Sequence, residues 1–226
     1  MPGIVERPSP NHGPRRDGLR PVFIVIHHTA MACAASALRR LCDPASEVSA
    51  HYLIDVSGGV CQLVAEEARA WHAGQGEWAG LDDINSRSIG IELDNRGSEP
   101  FSEPQMRALE ALLRAIMERW DIPPDGVIGH SDMAPGRKQD PGLRFDWARL
   151  ARQGLAGFAG GPRYDGAVSE SAFVDRARAR GFTAPCDPET LLATTRLRFA
   201  PWRSGPLVAA DFDLHHGIET AGVESD

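Results

Sequence analysis

The sequence has few cysteines, no long hydrophobic run and no surplus of positive charge. Its four cysteines, Cys33, Cys42, Cys61 and Cys186, form no C-x-x-C pair. That excludes the common zinc-ribbon and thioredoxin-like spacings and a dense disulfide framework. They read as free thiols of a reducing compartment. The run "PVFIVI" falls far short of the roughly 20 apolar residues a bilayer span needs, so no membrane anchor is expected. Lys and Arg total 24 against 31 Asp and Glu, a net charge of −7. Without a basic stripe, nucleic acid and anionic membrane surfaces are not expected partners. The opening "MPGIVERPSPNHGPRRDGLR" lacks the apolar segment of a secretory signal. A cytoplasmic location is therefore expected, or a periplasmic one if a leader has been removed. Also missing are a G-x-S-x-G elbow, a Walker loop and a G-x-G-x-x-G fingerprint, so serine-hydrolase and nucleotide chemistries are not indicated.

Hydrophobic residues make up 42% of the 226 residues, enough for one substantial core. Residues 1–20 read as an extended N-terminal arm. "VFIVIHHT" is apolar and β-branched without polar alternation, which suits a strand buried on both faces. "ASALRRLCD" reads as a short helix. "SAHYLIDVSGGVCQLV" reads as a hairpin turning at Ser57-Gly58-Gly59, and "RAWHAGQGEWAGLDDINSR" as a loop. "SIGIELDN" is a second buried strand.

Ser102 and Gln105 form an S-x-x-Q capping box. Behind them Met106, Leu109, Leu112, Leu113, Ile116, Met117 and Trp120 follow at helical spacing, up to the "DIPPD" stop. "GVIG" is a short strand and "FDWARLARQG" a helix. Residues 154–166 are a Gly-rich linker. Residues 167–226 suggest a small helical module: "SESAFVDRARARGF", "DPETLLATTRLRF" opened by Asp187 and Pro188, and "PLVAADFDLHH". The fold class is α/β, a central mixed sheet flanked by helices with a small C-terminal helical segment.

The candidates for chemistry are His27, His28, His51, His72, Glu92, Asp94, His130, Asp132, Lys138 and Asp140. Most lie at the end of an apolar strand or in the loop after it, where open α/β sheets form ligand sites. "GHSDMAPGRKQDPG" crowds a histidine, two cations and two acids into a stretch stiffened by Pro and Gly. His130 and Asp140 could share a metal there, with His27 or His28 as third ligand; two histidines and a carboxylate recur in catalytic zinc sites. Taken singly, each histidine is more often an ordinary core or surface residue. Two imidazoles closing a buried strand, however, are costly without partners. Lys138 lies two residues before Asp140, so in an extended segment the two face the same way.

"VIHHTA", "VSAHYLID", "AWHAG", "INSRSIGIEL" and "IGHSDMAPGRKQDPG" occur in an order that resembles zinc-dependent N-acetylmuramoyl-L-alanine amidases. The likeness is to the AmpD/AmiD branch, within the superfamily of phage amidases and peptidoglycan-recognition proteins. It covers about Val22 to Leu150, and residues 21–153 would form the amidase domain. The resemblance implies Zn2+ held by His27, His130 and Asp140, with Glu92 as catalytic acid and Lys138 as oxyanion-stabilising lysine. It places His51, Trp71 and His72 in motifs that line the substrate cleft. His28 stands where relatives often carry Tyr or Asn and could touch substrate; so could Arg137, beside the lysine. The implied substrate is a muropeptide or other peptidoglycan fragment, of the 1,6-anhydro form met in wall recycling. The alternatives are a non-catalytic recognition protein and a periplasmic amidase acting on intact peptidoglycan. The C-terminal segment is similar to a degenerate peptidoglycan-binding module.

Overall fold

The computed structural model describes residues 3–157 and 160–215. Parts of the linker and of the C-terminal segment, including the end of "PLVAADFDLHH", therefore lie outside the described residues. The strands in chain order are β1 (Val5–Glu6), β2 (His12–Pro14), β3 (Phe23–His28), β4 (Tyr52–Ile54), β5 (Val60–Gln62), β6 (Ala68–Ala70), β7 (Ser88–Leu93) and β8 (Val127–Gly129). The helices are α1 (Ala34–Leu41), α2 (Ile84–Arg87), α3 (Glu103–Trp120), α4 (His130–Met133), α5 (Trp147–Arg152), α6 (Glu170–Ala179) and α7 (Pro188–Phe199).

Six strands form the central sheet in the order β1-β5-β4-β7-β3-β8. Its β4–β5 pair is the expected antiparallel hairpin; the other pairings are parallel, so the sheet is mixed. The hairpin turns at Gly58, whose φ of +86° favours a residue without Cβ. Asp55 tightens the turn by accepting the N–H groups of Ser57 and Gly59.

Alternation along β3 divides the core. Ile24 and Ile26, with Ile89, Ile91 and Leu93 of β7, face the apolar stripe of α3: Met106, Leu109, Leu112, Leu113 and Ile116. Ser102 caps that helix, its Oγ accepting the Gln105 N–H at 3.3 Å. Phe23 and Val25 face the opposite way, with Ile128 of β8. That side is covered by Phe173 of α6, Leu191 and Phe199 of α7, and Phe182 and Phe212. The C-terminal helices thus share a hydrophobic core with the sheet. A third cluster seats Ala37 and Leu41 of α1 on Leu53 and Leu63.

Two segments differ from the sequence reading. The N-terminal arm is tied down: Val5 and Glu6 pair with Cys61 and Gln62, and His12–Pro14 pair with β6 in a second, two-stranded sheet. Arg15 then threads inward and donates to the carbonyls of Ser86 at 2.9 Å and Ser88 at 3.1 Å. Edge strands this short leave little periodicity to read, and their Pro and Gly mask them further. The segment taken as one loop between the hairpin and β7 contains β6 and the single-turn helix α2 for the same reason. "PLVAADFDLHH" contributes a 3-10 turn at Ala209–Phe212 rather than a third helix.

Candidate active site

Strands β3, β7 and β8 run parallel and side by side, so their carboxyl ends open on one edge of the sheet. His27 and Glu92 are register partners near the ends of β3 and β7. His130 opens α4 directly after β8. The loop that follows folds back: Ser131 N–H donates to the Asp140 carbonyl at 2.8 Å, and the N–H groups of Arg137 and Lys138 donate to the Ala134 carbonyl. Asp140 is thereby returned to His130 although the two are distant in sequence.

Three donor atoms meet there. His27 Nδ1 lies 2.9 Å from both His130 Nδ1 and Asp140 Oδ2, and the last two are 3.0 Å apart. The three side chains could hold a metal ion. The chemistry of the set agrees. His130 donates Nε2–H to the Ala73 carbonyl at 2.9 Å, so its Nδ1 presents a lone pair. His27 is buried, and burial together with neighbouring His130 lowers its pKa to about 4. It is neutral at physiological pH, the form that binds a metal. Lone pairs aimed at one point alongside a carboxylate repel one another unless a cation lies between them. Ligands of tetrahedral zinc, at 2.0–2.1 Å from the ion, stand about 3.3 Å apart, so this triangle needs to open by only a few tenths of an ångström.

A cleft of about 400 Å³ runs over this cluster. It is lined by His27, His28, Glu92, His130, Lys138 and Asp140, and also by Met31, Arg40, Val48 and Trp71. Glu92 Oε2 is buried without a hydrogen-bond partner among the described residues. Burial first, and the negative charge of Asp140 second, push the Glu92 pKa up to about 8. His28 points to the other side of β3 and donates Nδ1–H to the Pro141 carbonyl at 3.1 Å.

Of the remaining expected site residues, His72 lines the cleft and the others stand elsewhere. His51 is fully buried and does not line the cleft. Its Nδ1 accepts the Gly90 N–H at 2.9 Å, and its ring packs under that of His72. Arg137 turns away and donates to the carbonyls of Ala73, at 2.8 Å, and Gln75. It clamps the segment whose Ala73 carbonyl also holds His130. Asp132 accepts the Gly129 N–H and pairs with Arg198, and Asp94 is not a cleft residue. His72 lines the cleft but spends its ring nitrogens inward, on His27 and Ser88. Sequence reasoning did not find Ser88, or Arg40 and Met31 among the residues that line the cleft. A lone serine and an amphipathic helix carry no signal of their own.

Residues 17–143 match the family model described as N-acetylmuramoyl-L-alanine amidase. The sequence is 39% identical to N-acetylmuramoyl-L-alanine amidase AmiD of Escherichia coli over 68% of this chain and 62% of that protein. It is 33% identical to the E. coli 1,6-anhydro-N-acetylmuramyl-L-alanine amidase AmpD over 63% of this chain and 87% of that protein. Among solved structures, Pseudomonas aeruginosa AmpDh3 superposes with a TM-score of 0.79 at 32% identity, covering 88% of this chain and 91% of that one. E. coli AmiD, solved with anhydro-N-acetylmuramic acid-L-Ala-D-gamma-Glu-L-Lys, gives a TM-score of 0.75 at 31% identity and 88% coverage of both chains. With its mixed sheet, its cluster of two histidines and an aspartate, and this extent of likeness, the chain belongs to the N-acetylmuramoyl-L-alanine amidase family.

Proposed function

We propose that the chain is a zinc amidase. Its bond would be the amide between the lactyl group of N-acetylmuramic acid, in the 1,6-anhydro form, and L-alanine of a muropeptide. The observation that carries this reading is the convergence of His27 Nδ1, His130 Nδ1 and Asp140 Oδ2, with Glu92 and Lys138 on the wall of the same cleft. The solved AmiD and AmpDh3 complexes hold anhydromuramyl peptides, which supports the choice of substrate.

His27, His130 and Asp140 would hold the zinc, with room in the cleft for water and substrate. Bound zinc supplies Lewis-acid polarisation and brings the pKa of its water toward ~7. Glu92, on the wall of the same cleft, takes one proton from the attacking water. It delivers that proton to the alanine nitrogen as the C–N bond breaks, leaving a lactyl carboxylic acid and a free amine; the acid then gives the water's second proton to the amine, so the products part as carboxylate and ammonium. Lys138 stabilises the developing oxyanion. Trp71 and His28 would contact the substrate from the cleft walls. In this reading residues 21–153 carry the chemistry, 154–166 connect, and α6 and α7, within residues 167–226, cover one face of the sheet.

No helix among the described residues is long and apolar enough to cross a membrane. Action in the cytoplasm on soluble fragments fits the four free cysteines, of which Cys33 is exposed.

The test is mass spectrometry of soluble anhydro-muropeptides and of intact sacculi after incubation with the zinc-loaded protein. Release of the stem peptide from the soluble substrate is expected. Binding without release identifies a recognition protein and overturns the proposal; cleavage confined to sacculi overturns the choice of substrate.

A further inference from the structure

His72 lines the cleft, yet neither of its ring nitrogens is free for a substrate. Nδ1 lies 3.0 Å from His27 Nε2, and Nε2 lies 3.2 Å from Ser88 Oγ. The direction of each bond follows from the far end of the chain. Ser88 Oγ–H donates to the Ile84 carbonyl at 2.5 Å. A hydroxyl has one proton, and a carbonyl can only accept. Toward His72, Ser88 Oγ is therefore an acceptor, and His72 Nε2 must carry the hydrogen. The Nδ1 of a neutral His72 is then bare and accepts Nε2–H from His27. With its hydrogen fixed on Nε2, His27 presents an Nδ1 lone pair to His130 and Asp140.

We propose that His72 is a positioning residue. The relay Ile84–Ser88–His72–His27 selects the tautomer and ring orientation in which His27 offers Nδ1 to a metal ion. The inference rests on the metal reading above and assigns His72 a role other than substrate contact.

The surroundings of the ring support this. His72 N–H and Ala73 N–H both donate to Asn85 Oδ1, at 3.0 and 2.8 Å. The short segment Ile84–Ser88 thus fixes both the main chain and the ring of His72. Beneath the ring is Gly90. A Cβ there would stand 2.4 Å from His72 Cγ, so only glycine on β7 lets the imidazole lie against the strand. The His51 ring closes the next side, its centroid 5.7 Å away. Groups behind a ligating histidine that orient it in this way typically change metal affinity by 10–100-fold when removed.

Two measurements test the proposal on the full chain. Long-range 1H–15N correlation spectra of histidine-labelled, metal-free protein report which ring nitrogens carry hydrogen. Nε2–H is expected for both His72 and His27; Nδ1–H on either overturns the relay. Chelator competition then gives zinc affinity for the parent, H72Q, H72L and S88A. Glutamine offers an amide oxygen to His27 and an amide N–H to Ser88, so H72Q should stay within a few-fold of the parent. H72L should lose about 10–100-fold. S88A, which removes only the anchor, should lose several-fold and give mixed His72 tautomers. If H72L does not fold, S88A and H72Q decide. Equal affinities across the series, or an H72Q as weak as H72L, refute a tautomer-setting role. A parent chain that binds no zinc overturns the metal reading instead, and the spectra still decide the relay.

Discussion

Arg198 of α7 reaches from the C-terminal segment to the start of α4. Its side chain is fully buried, and so is its partner, Asp132, with relative exposures of 0% and 1%. The guanidinium pairs with Asp132 Oδ2, donates to the Val127 carbonyl at 3.1 Å, and stacks 4.1 Å above the Trp147 ring. Asp132 Oδ2 also accepts the Gly129 N–H at 2.8 Å. The pair thereby ties α7 to the turn from which His130 projects. Arg198→Met keeps most of the volume and removes the charge. Asp132 then keeps one N–H partner but no cation in a site closed to water. Breaking a buried pair from one side costs about 3–5 kcal/mol. In a chain of this size each kcal/mol moves Tm by roughly 2–4 °C, so Tm should fall by about 6–20 °C.

The assay is thermal unfolding of metal-free protein, followed by circular dichroism, for the parent, R198M, D132N and the double variant. Because the cost comes from a stranded charge, R198M/D132N should recover much of the loss, with a clear coupling energy in the double-mutant cycle. A Tm for R198M within about 2 °C of the parent would show that the contact contributes little. Additive single effects would refute the reasoning even if R198M is unstable, because then only packing has been lost.

Three further outcomes follow from the site. The pKa of Glu92 in the fold, about 8, is above its ordinary 4.5. Ionising it therefore opposes folding increasingly as pH rises through that window. Metal-free Glu92→Gln should match the parent near pH 4 and exceed its stability by on the order of a few kcal/mol at pH 8, measured by urea unfolding; equal stability at pH 8 refutes the burial argument. Burial also lowers the pKa values of His27, to about 4, and His51, to about 3, from 6.5. The unfolded chain takes up those protons first, so metal-free stability should fall as pH drops below about 6.5; a flat profile down to pH 4 counts against it. Lys138→Met should retain zinc by metal analysis while kcat falls on the order of a hundredfold or more; a kcat within threefold of the parent removes the lysine from its role.

The central elements were legible because burial dictates their composition. β3 and β7 are buried along nearly their whole length, with Phe, Ile, Val and Leu at most positions, and α3 carries a stripe that only a helix can bury on one side. The His130–Asp140 loop was legible because such a density of charge, Gly and Pro has few purely structural uses. Support for the site was not. Ser88 and Gly90 act through one hydroxyl and one missing Cβ, and neither leaves a pattern along the chain. Arg137 and His51 lie in motifs next to the chemistry, yet their side chains close loops and brace strands. A motif marks a neighbourhood in space, and the direction of each side chain within it is settled by packing.

The pair His27-His28 shows where strand geometry decides what sequence leaves open. Successive residues of a strand point to opposite faces. Ile24 and Ile26 are committed to the core under α3, and Phe23 and Val25 to the core under α6 and α7. His27 must therefore follow Val25, and His28 must follow Ile26. On β7 the same alternation puts Ser88, Gly90 and Glu92 on the face of His27, since Ile89, Ile91 and Leu93 belong to the core under α3. The proposed ligand His27, the proposed proton carrier Glu92, the glycine that seats His72 and the serine bonded to it share one face for that reason alone. A slip of one residue in β3 would exchange His27 for His28 and at the same time drive Ile24 and Ile26 out of the α3 core. The register that buries the hydrophobic residues thus also selects which histidine meets His130 and Asp140.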